Sequence, residues 1–455
     1  YKMKSISLQT VAEWVGGRLC GENKEINNVS IDSRTVDAST LFIAIKGDRF
    51  DAHDFVKDVE KSGAAAVMCH REVDCGLAGI YVDDTKKAFV ELAKNYRKSF
   101  DGLKVIGLTG SVGKTTTKEM TYEVVSRKYR AIKTEGNLNN DIGLPKTLLR
   151  LENDTQAAVI EMGMSAFGEI SLLTKTCLPD IGIITNIGVS HIEHLGSRDG
   201  ILKAKLEILD GMKKGSPLIL NGDNDKLSTV KNDDYKLIFF GIENENADVR
   251  AFDIKENGSN TEFSVKAYSK TQKVTIPTVG IHNVYDALAA YTVGLLLELP
   301  TEEIAKALEN YTPSGMRQRL KEVNGVKIIE DCYNASPDSQ RAALNVLSDM
   351  NAGRKIAVLG DMLELGDYSE TAHREVGKYA AEKKIDVLYA FGEQSKYIAQ
   401  EAKKGVERVL WFDDKAQLAK TLVQDVKSGD CVLFKASRGM KLEEIIEKLY
   451  EGLEK

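Results

Sequence analysis

The chain has 455 residues, enough for about three domains of ordinary size. Its 42% hydrophobic and 29% charged residues are typical of a globular protein, and a formal charge of -6 argues against non-specific binding to nucleic acid. No apolar run approaches the roughly 18 residues of a membrane span. Six scattered cysteines without a Cys-x-x-Cys pair, and no secretory signal pattern, predict a cytoplasmic protein with no membrane span and no nucleic-acid partner.

The first part of the chain mixes short strands and helices. Residues 41–45 and 64–68 have the apolar runs of strands, and residues 86–100 have the periodicity of an amphipathic helix. We predict a small α/β domain over residues 1–98.

A glycine-rich stretch lies at residues 107–117. An apolar, strand-like run at residues 104–108 leads into it, and a helix-forming run at residues 116–127 follows it. Backbone N–H groups of such a turn cradle phosphates. Lys114 is placed to reach the β/γ-phosphates, and the Thr115 hydroxyl is placed to reach Mg²⁺. A plain glycine turn would give a similar pattern, and Leu108 stands where a strict Walker A motif has glycine. The residues predicted to hold nucleotide here are Gly110, Ser111, Gly113, Lys114, Thr115 and Thr116.

Strands and helices alternate from residue 104 onward, which predicts a mostly parallel sheet covered on both faces. Between residues 248 and 280 the alternation changes to period two, with Asn257-Gly258 as a hairpin signal. Helices are predicted over residues 283–298 and 301–310, and a linker over residues 312–315. The central domain is therefore predicted over residues 99–313.

A second strand–helix alternation fills the rest of the chain and predicts a doubly wound, Rossmann-like domain over residues 314–455. Its predicted strands are residues 326–330, 355–359, 387–391, 408–412 and 431–435.

Several polar side chains follow the predicted central strands. Glu161 ends one strand and could bind Mg²⁺, although a solvated strand-end carboxylate looks the same in sequence. His191, Glu193 and His194 follow the next buried strand and could hold a second metal or a proton. In the helix after them, the default expectation is a solvated face on which Lys203 pairs with Glu207.

Other polar loops allow either a structural or a functional role. Residues 135–145 contain Asn137 and two further asparagines that could donate amides to a ligand, but turn chemistry explains the loop equally well. Asn283 reads as a helix N-cap. Residues 331–337 and 361–366 follow two successive predicted strands at the carboxyl edge of the last sheet, where ligands of open α/β sheets bind, which favours a small-molecule site.

Taken in order, these blocks resemble the Mur ligases of peptidoglycan assembly over essentially the whole chain. The resemblance implies an N-terminal domain for a UDP-sugar peptide, a central ATPase domain and a C-terminal domain for the incoming amine. It rests on Asp32-Ser-Arg34, Phe50-Asp-Ala-His-Asp-Phe55, Gly110-Ser-Val-Gly-Lys-Thr-Thr-Thr-Lys-Glu119, Gly136-Asn-Leu-Asn-Asn-Asp-Ile-Gly-Leu-Pro145, Asp331-Cys-Tyr-Asn-Ala-Ser-Pro-Asp338 and Gly360-Asp-Met-Leu-Glu-Leu-Gly366.

Site roles follow from the resemblance. It implies that Lys114 holds the ATP phosphates, that Thr115 and Glu161 hold one Mg²⁺, and that His191 holds a second Mg²⁺ with a carbamylated Lys205. The remaining implied positions are Asn283 and Asn334 near adenine and ribose, Arg317 on the γ-phosphate, Ser33 and Arg34 on the uridine side, and Asn137, Asp361 and Glu364 on the substrate side.

Within the family, the motifs are most similar to those of the member that joins D-alanyl-D-alanine to UDP-N-acetylmuramoyl-tripeptide. The implied reaction passes through an acyl phosphate and yields ADP and phosphate, with ATP, two Mg²⁺ ions and a monomeric enzyme. This chain departs from common family residues at Ala52, Asp286 and Ser336, which leaves the reaction class unchanged.

Two alternatives remain at this point. A neighbouring ligase that adds a single amino acid is the first, but its Asp-Asn-Pro-Arg signature is absent and residues 361–366 stand instead. A P-loop nucleotide-dependent binding module is the second. The absence of an Asn-Lys-x-Asp guanine motif argues against a GTPase.

Overall fold

The structure, a computed structural model, describes residues 3–47, 50–313 and 317–454. Its strands form three main sheets and one two-stranded ribbon, with helices between them, so the predicted α/β class is confirmed. The predicted linker at residues 312–315 falls partly outside the described residues. No helix in the described ranges is both long enough and apolar enough to cross a membrane.

The N-terminal sheet has five strands in the order β2-β7-β6-β5-β4, and only β2 runs antiparallel to its neighbour. β5 and β6 are fully buried, which explains their apolar runs. A short ribbon pairs β1 with β3. The elements are β1 (Ile6–Ser7), α1 (Leu8–Val15), β2 (Arg18–Cys20), β3 (Glu25–Ile26), β4 (Asn28–Ser30), β5 (Thr40–Ile43), α2 (Val56–Lys61), β6 (Ala66–Cys69), β7 (Ala78–Tyr81) and α3 (Thr85–Lys98).

The central sheet has nine strands in the order β16-β15-β14-β13-β12-β11-β8-β10-β9. The strands from β9 to β14 are parallel to their neighbours, and β15 and β16 add an antiparallel hairpin extension. The strands are β8 (Lys104–Thr109), β9 (Ala131–Lys133), β10 (Ala157–Glu161), β11 (Ile181–Ile184), β12 (Pro217–Asn221), β13 (Lys236–Gly241), β14 (Val249–Asn257), β15 (Asn260–Ala267) and β16 (Lys270–Ile276).

Helices cover this sheet as the alternation predicted. The predicted hairpin is also present: Asn257 pairs with Asn260, and Gly258 turns the chain at a φ of 66°. The helices are α4 (Lys114–Ser126), α5 (Gly143–Leu148), α6 (Glu169–Cys177), α7 (Ile192–Leu195), α8 (Arg198–Leu206), α9 (Ile281–Leu296) and α10 (Thr301–Glu309).

The C-terminal sheet has six strands in the order β17-β18-β22-β19-β20-β21. The prediction missed the antiparallel edge strand β17, because its mostly exposed side chains give no apolar run. The elements are β17 (Arg319–Val323), β18 (Val326–Asp331), α11 (Pro337–Asp349), β19 (Arg354–Gly360), α12 (Ser369–Glu382), β20 (Val387–Phe391), α13 (Lys396–Ala402), β21 (Arg408–Phe412), α14 (Lys415–Asp425), β22 (Asp430–Lys435) and α15 (Glu443–Leu453).

Helix α3 joins the N-terminal sheet to the central one. The Tyr96 hydroxyl donates to the Leu151 carbonyl at 2.6 Å and accepts from the Lys4 backbone at 2.7 Å. Arg97 donates to the Cys177 carbonyl at 2.9 Å. One apolar core continues from the first sheet into the helices of the central unit. The boundary between residues 98 and 99 therefore stays a prediction, as does the one between 313 and 314.

We expect Tyr96→Phe to lower the free energy of unfolding by about 1–2 kcal/mol, because it leaves the Leu151 carbonyl without its donor while removing only one oxygen atom. Thermal or urea unfolding measures this loss. Tyr268→Phe, at a side chain that is 65% exposed, is the matched control and should be neutral. Equal stability of the two variants would show that this contact does not hold the sheets together.

Candidate active site

The phosphate loop lies between β8 and α4 and is fixed against the end of β11. The Val112 N–H donates to Asn186 Oδ1 at 2.9 Å, and Thr185 donates to the Val112 carbonyl at 2.7 Å. A Cβ at Gly110 would lie 1.8 Å from Thr185 Oγ1, and Gly113 has a φ of 80°. These glycines are therefore required for the close approach and the turn.

Helix α4 begins at this loop without a side-chain N-cap, so its first N–H groups face the cavity as an anion site. The Lys114 ammonium donates to the Gly110 carbonyl at 2.9 Å and curls back over the loop. Burial lowers the pKa of Lys114, Glu161 opposes that shift, and the nearby Arg317 charge adds to it.

Glu161 ends β10 directly beside the loop and is 2% exposed. Its Oε2 accepts from the Thr115 hydroxyl at 3.0 Å, and its Oε1 accepts from the Asn139 amide at 3.0 Å. The buried Lys118 ammonium lies 3.9 Å from Oε2. A solvated strand-end carboxylate is therefore the wrong interpretation of Glu161. The buried oxygen donors of Thr115 and Glu161 are the type that a hard divalent cation binds.

His191 stands at the start of α7 with a φ of 63°. Its Nδ1 lies 2.8 Å from Glu364 Oε2, a close contact between the central unit and the C-terminal sheet. Burial, followed by the charges of Lys114 and Lys205, lowers the pKa of His191 to about 4. The ring is therefore neutral near pH 7, and a neutral ring nitrogen can serve as a metal ligand.

Lys205 and Lys203 have opposite environments on α8. Lys205 is 2% exposed, and its ammonium has no hydrogen bond or ion pair within the described part of the chain. Burial, then the charge of Lys114, lowers the pKa of Lys205 well below its usual value. Lys203 is exposed and lies 5.9 Å above the Phe167 ring.

The predicted pairing of Lys203 with Glu207 is wrong. Glu207 instead accepts the Gly168 and Ser171 N–H groups at 3.0 and 3.2 Å, and so caps the start of α6. Tertiary capping replaces the expected contact between neighbouring helical turns.

A cavity of about 820 Å³ lies between the central and C-terminal sheets. It brings together most of the predicted site residues from both units. Those that line it are Ser111, Gly113, Lys114, Thr115, Thr116, Asn137, Glu161, His191, Asn283, Arg317, Asn334 and Glu364. Gly110 and Lys205 do not line the cavity. Gly110 contacts Lys114 directly, and Lys205 lies close enough to Lys114 for their charges to interact.

One end of the cavity is lined by residues at the start of α9 and directly before β17. Gly280, and not Asn283, is the N-cap residue of α9, so the predicted N-cap is wrong. The Asn283 amide donates to the Val279 carbonyl at 2.8 Å and to Gln318 Oε1 at 2.9 Å. His282 lies 2.6 Å from the same Gln318 oxygen.

The cationic side chain of Arg317 in the cavity lies against an aromatic ring. The Arg317 guanidinium lies 4.0 Å from the Tyr333 ring centroid. Asn334, next to Tyr333, is exposed, and its Oδ1 accepts the Ala335 N–H at 2.8 Å. Ser336, a departure from the common family residue, caps α11 by accepting the Ser339 N–H at 3.2 Å.

Besides Gly110 and Lys205, three further predicted site residues do not line the cavity. Ser33 and Arg34 lie in the N-terminal unit, where Arg34 pairs with Asp32 at 2.8 Å. Asp361 is buried and accepts the Ser395 N–H and hydroxyl, both at 2.7 Å. Its carboxylate therefore connects two loops at the edge of the C-terminal sheet.

The sequence interpretation missed several cavity residues, among them His282, Gln318, Tyr333 and Arg438. Tyr333 belongs to the motif at residues 331–338, directly after the predicted strand at residues 326–330, so the sequence did carry a signal that it lies at the site. Arg438 follows β22, whose central place in the sheet comes from strand order. Strand order depends on tertiary contacts, so sequence spacing carries no signal for it.

Comparison with known proteins agrees with this geometry. The chain matches the Mur ligase family catalytic domain over residues 25–97, the Mur ligase middle domain over residues 108–294, and the Mur ligase glutamate ligase domain over residues 316–438. The chain belongs to the Mur ligase family.

Relatives that match over the full length of the chain point to a particular member of this family. A Bacillus subtilis protein named UDP-N-acetylmuramoyl-tripeptide–D-alanyl-D-alanine ligase is 43% identical over 98% of both chains. A crystal structure of MurF from Acinetobacter baumannii is 33% identical, with a TM-score of 0.93 over 99% of both chains. MurF ligase from Thermotoga maritima, solved in complex with ADP, is 31% identical, with a TM-score of 0.86 over 94% of this chain and 98% of that one.

Asp286 lies behind the phosphate loop and gives a pH-dependent prediction. It accepts from the Thr117 hydroxyl at 3.0 Å, and burial raises its pKa to about 8. The folded state thus keeps a proton that the unfolded state releases above about pH 4. Stability conferred by this proton is lost as the pH rises from about 4 to 8.

We expect Asp286→Asn to match the wild type near pH 4 and to be more stable by roughly 1–3 kcal/mol at pH 8, because the amide never ionises. Urea unfolding across that pH range tests this. The idea fails if the stability difference between the two proteins does not change with pH.

Proposed function

We propose that this chain joins D-alanyl-D-alanine to UDP-N-acetylmuramoyl-tripeptide in peptidoglycan precursor synthesis, with ATP converted to ADP and phosphate. Full-length likeness to relatives named for this ligation carries the proposal. The chain has the matching phosphate loop in a cavity between two units. Such a cavity can hold a nucleotide together with the reacting ends of two further substrates, away from water.

ATP binds at the end of the cavity that contains the phosphate loop. The loop N–H groups and Lys114 bind its phosphates, and Thr116 lies in the first turn of the same helix. Arg317 neutralises charge on the γ-phosphate. Asn283 and Asn334 contact the adenine and ribose. Support comes from the excess of positive charge around Lys114, which lies close enough to Arg317, Lys205 and the buried Glu161 for their charges to interact.

Two Mg²⁺ ions fit the donor groups of the site. Thr115 and Glu161 offer buried oxygens for one ion. His191 offers a neutral ring nitrogen for the second, together with carbamylated Lys205. When bound, the ions offset the negative charge that gathers on the reacting phosphate.

Carbamylation of Lys205 explains its environment. An unprotonated lysine amine adds to the carbon of CO₂, a C–N bond forms, and one proton leaves to water. The product is an anionic carbamate. A buried amine that binds protons weakly and has no partner among the described residues is suited to this step. The change replaces an isolated buried cation by oxygen ligands that a hard cation prefers.

Ligation then proceeds in two substitutions. The tripeptide carboxylate attacks the γ-phosphorus, ADP leaves, and an acyl phosphate forms. The unprotonated amine of the dipeptide attacks the acyl carbon and gives a tetrahedral intermediate. Phosphate leaves, the amide forms, and the nitrogen loses its remaining extra proton. Lys114 and Arg317 stabilise the charge that develops on the phosphoryl oxygens.

The remaining substrate contacts follow the three units. Residues 1–98 bind the UDP-sugar peptide, with Ser33 and Arg34 on its uridine side and Asn137 on its peptide side. Residues 99–313 bind ATP. Residues 314–455 bind the dipeptide, with Glu364 facing it and Asp361 holding the loop that carries Glu364. The enzyme acts as a monomer in the cytoplasm.

We expect strict coupling of nucleotide hydrolysis to ligation. ADP and phosphate should form only when the tripeptide nucleotide and D-alanyl-D-alanine are both present, because the acyl phosphate needs one and its breakdown needs the other. A product assay with each substrate omitted in turn measures this. Tripeptides that differ at the third residue should be compared in the same assay.

Three outcomes would contradict the proposal. AMP and pyrophosphate as products would exclude the acyl phosphate. Free D-alanine used as well as the dipeptide would favour a ligase for single amino acids. Nucleotide turnover that ignores both substrates would favour a nucleotide-dependent binding module.

We expect Lys205→Ala to lose activity by about 10²-fold or more, because it removes an anionic ligand and its charge stabilisation. A small added carboxylate should restore part of the activity by filling the same space. Lys203→Ala is the matched control on the same helix and should be nearly silent, because Lys203 is exposed.

Mass spectrometry and metal titration give readouts beyond turnover. Wild-type protein in bicarbonate buffer should carry a labile added CO₂ that Lys205→Ala lacks, and the variant should bind Mg²⁺ with nucleotide more weakly. An active Lys205→Ala protein alongside an inactive Lys203→Ala protein would overturn the assignment.

A further inference from the structure

Arg438 is a cation in the cavity that the mechanism above does not use. It follows β22, which lies between β18 and β19 in the C-terminal sheet, and its exposed side chain lines the cavity. Its guanidinium lies 5.2 Å from the Tyr333 ring centroid. Among the residues that the structure describes, it has no hydrogen bond and no ion pair. Its N–H donors are therefore free for a ligand.

Each of the two neighbouring cations already interacts with another group near the cavity. Lys435, at the end of the same strand, is buried and lies 2.9 Å from Asp331, which neutralises it. The Arg317 guanidinium also contacts Tyr333 and lies 4.0 Å from the ring centroid. It is close enough to Lys114 to lower the pKa of that amine. Arg317 thus belongs to the phosphate side. Arg438 is a second cationic position at Tyr333.

The backbone around Arg438 is fixed to the loop that carries Glu364. The Ser437 N–H donates to the Asp361 carbonyl at 3.1 Å, and Ser437 Oγ accepts the Leu363 N–H at 3.0 Å. Ser437 is 5% exposed, so this link is protected from water. Arg438 and Glu364 therefore extend from two connected loops of one sheet edge, which preorganises the pair.

A dipeptide is complementary to such a pair of loops. It has an amine at one end and a carboxylate at the other, at most about 7 Å apart when extended. Glu364 contacts His191 and thus marks the reacting end, where the amine must be. Leu363, beside Glu364, is 47% exposed and offers an apolar surface to a methyl group.

We infer that Arg438 binds the terminal carboxylate of D-alanyl-D-alanine and thereby sets the length of the amine substrate. The inference rests on the proposed function. A guanidinium stacked on an aromatic ring keeps its edge free for two parallel hydrogen bonds to a carboxylate. A single amino acid has its carboxylate next to its amine, so it cannot reach Arg438 while its amine is at the acyl phosphate.

The test compares the dipeptide with its C-terminal amide in wild type, Arg438→Gln and Arg438→Lys. For wild type, we expect kcat/KM to be roughly 50-fold lower for the amide, because the charged hydrogen bonds are lost. Arg438→Gln should show a similar loss on the acid and use acid and amide about equally, with KM for ATP and for the tripeptide nucleotide unchanged. Arg438→Lys should recover part of the preference, because it keeps the charge but not the fork.

Lys441→Gln is the matched control. Lys441 is exposed and does not line the cavity, so this variant should keep the wild-type preference for the acid. The inference is overturned if Arg438→Gln still prefers the acid 50-fold, or if its loss lies in KM for ATP or the tripeptide nucleotide. A wild type that does not use D-alanyl-D-alanine at all would instead refute the proposed function.

Discussion

An uncompensated cluster of positive charge at the phosphate loop is the constraint on which the rest of the structure depends. Lys114 and Lys205 are desolvated and their charges interact, Arg317 is near Lys114, and the buried carboxylate of Glu161 interacts with Lys114. Isolated buried charges are expensive. The fold stabilises this cluster only partly, through the Gly110 carbonyl and Glu161. A polyanionic ligand completes the charge balance.

That constraint also explains how the C-terminal sheet meets the central one. Contacts between them occur beside the charged cavity: Glu364 reaches His191, and a Cβ at Gly188 would lie 2.1 Å from Asp338 Oδ2. A Cβ at Gly366 would lie 2.6 Å from that of Glu193. Glycines at these points let two loop edges approach closely. His191 and Glu364, which line the cavity, therefore also help to hold the two sheets together.

The sequence predicted the alternating strands and helices well, because buried parallel strands such as β10, β11 and β22 are short apolar runs between turn signals. It failed where burial is partial or where contacts are long-range. Strand β17 has mostly exposed side chains, and Glu207 caps a helix 36 residues away instead of pairing within its own helix. Asn283 was misassigned because its partners, Val279 and Gln318, come together only in the folded chain.

The site residues also differ in how far the sequence alone could predict them. Lys114 and Thr115 were visible as a local motif, whereas the burial that separates Lys205 from Lys203 follows from how α8 packs and not from residue type. Periodicity cannot settle this, since residues two apart on a helix point in different directions whichever of them is buried. Only the family resemblance favoured Lys205 over Lys203.

Arg438 illustrates a further limit of sequence reasoning, because a lone arginine after a strand gains meaning only from what surrounds it. Its significance comes from the lack of a partner among the described residues, from Tyr333 beside it, and from Ser437 joining its loop to that of Glu364. Each observation by itself is ordinary for a surface arginine. Together they place a free cation on a loop that is hydrogen-bonded to the loop of Glu364, and fixed spacing between binding groups is what allows a rigid site to distinguish a dipeptide from an amino acid.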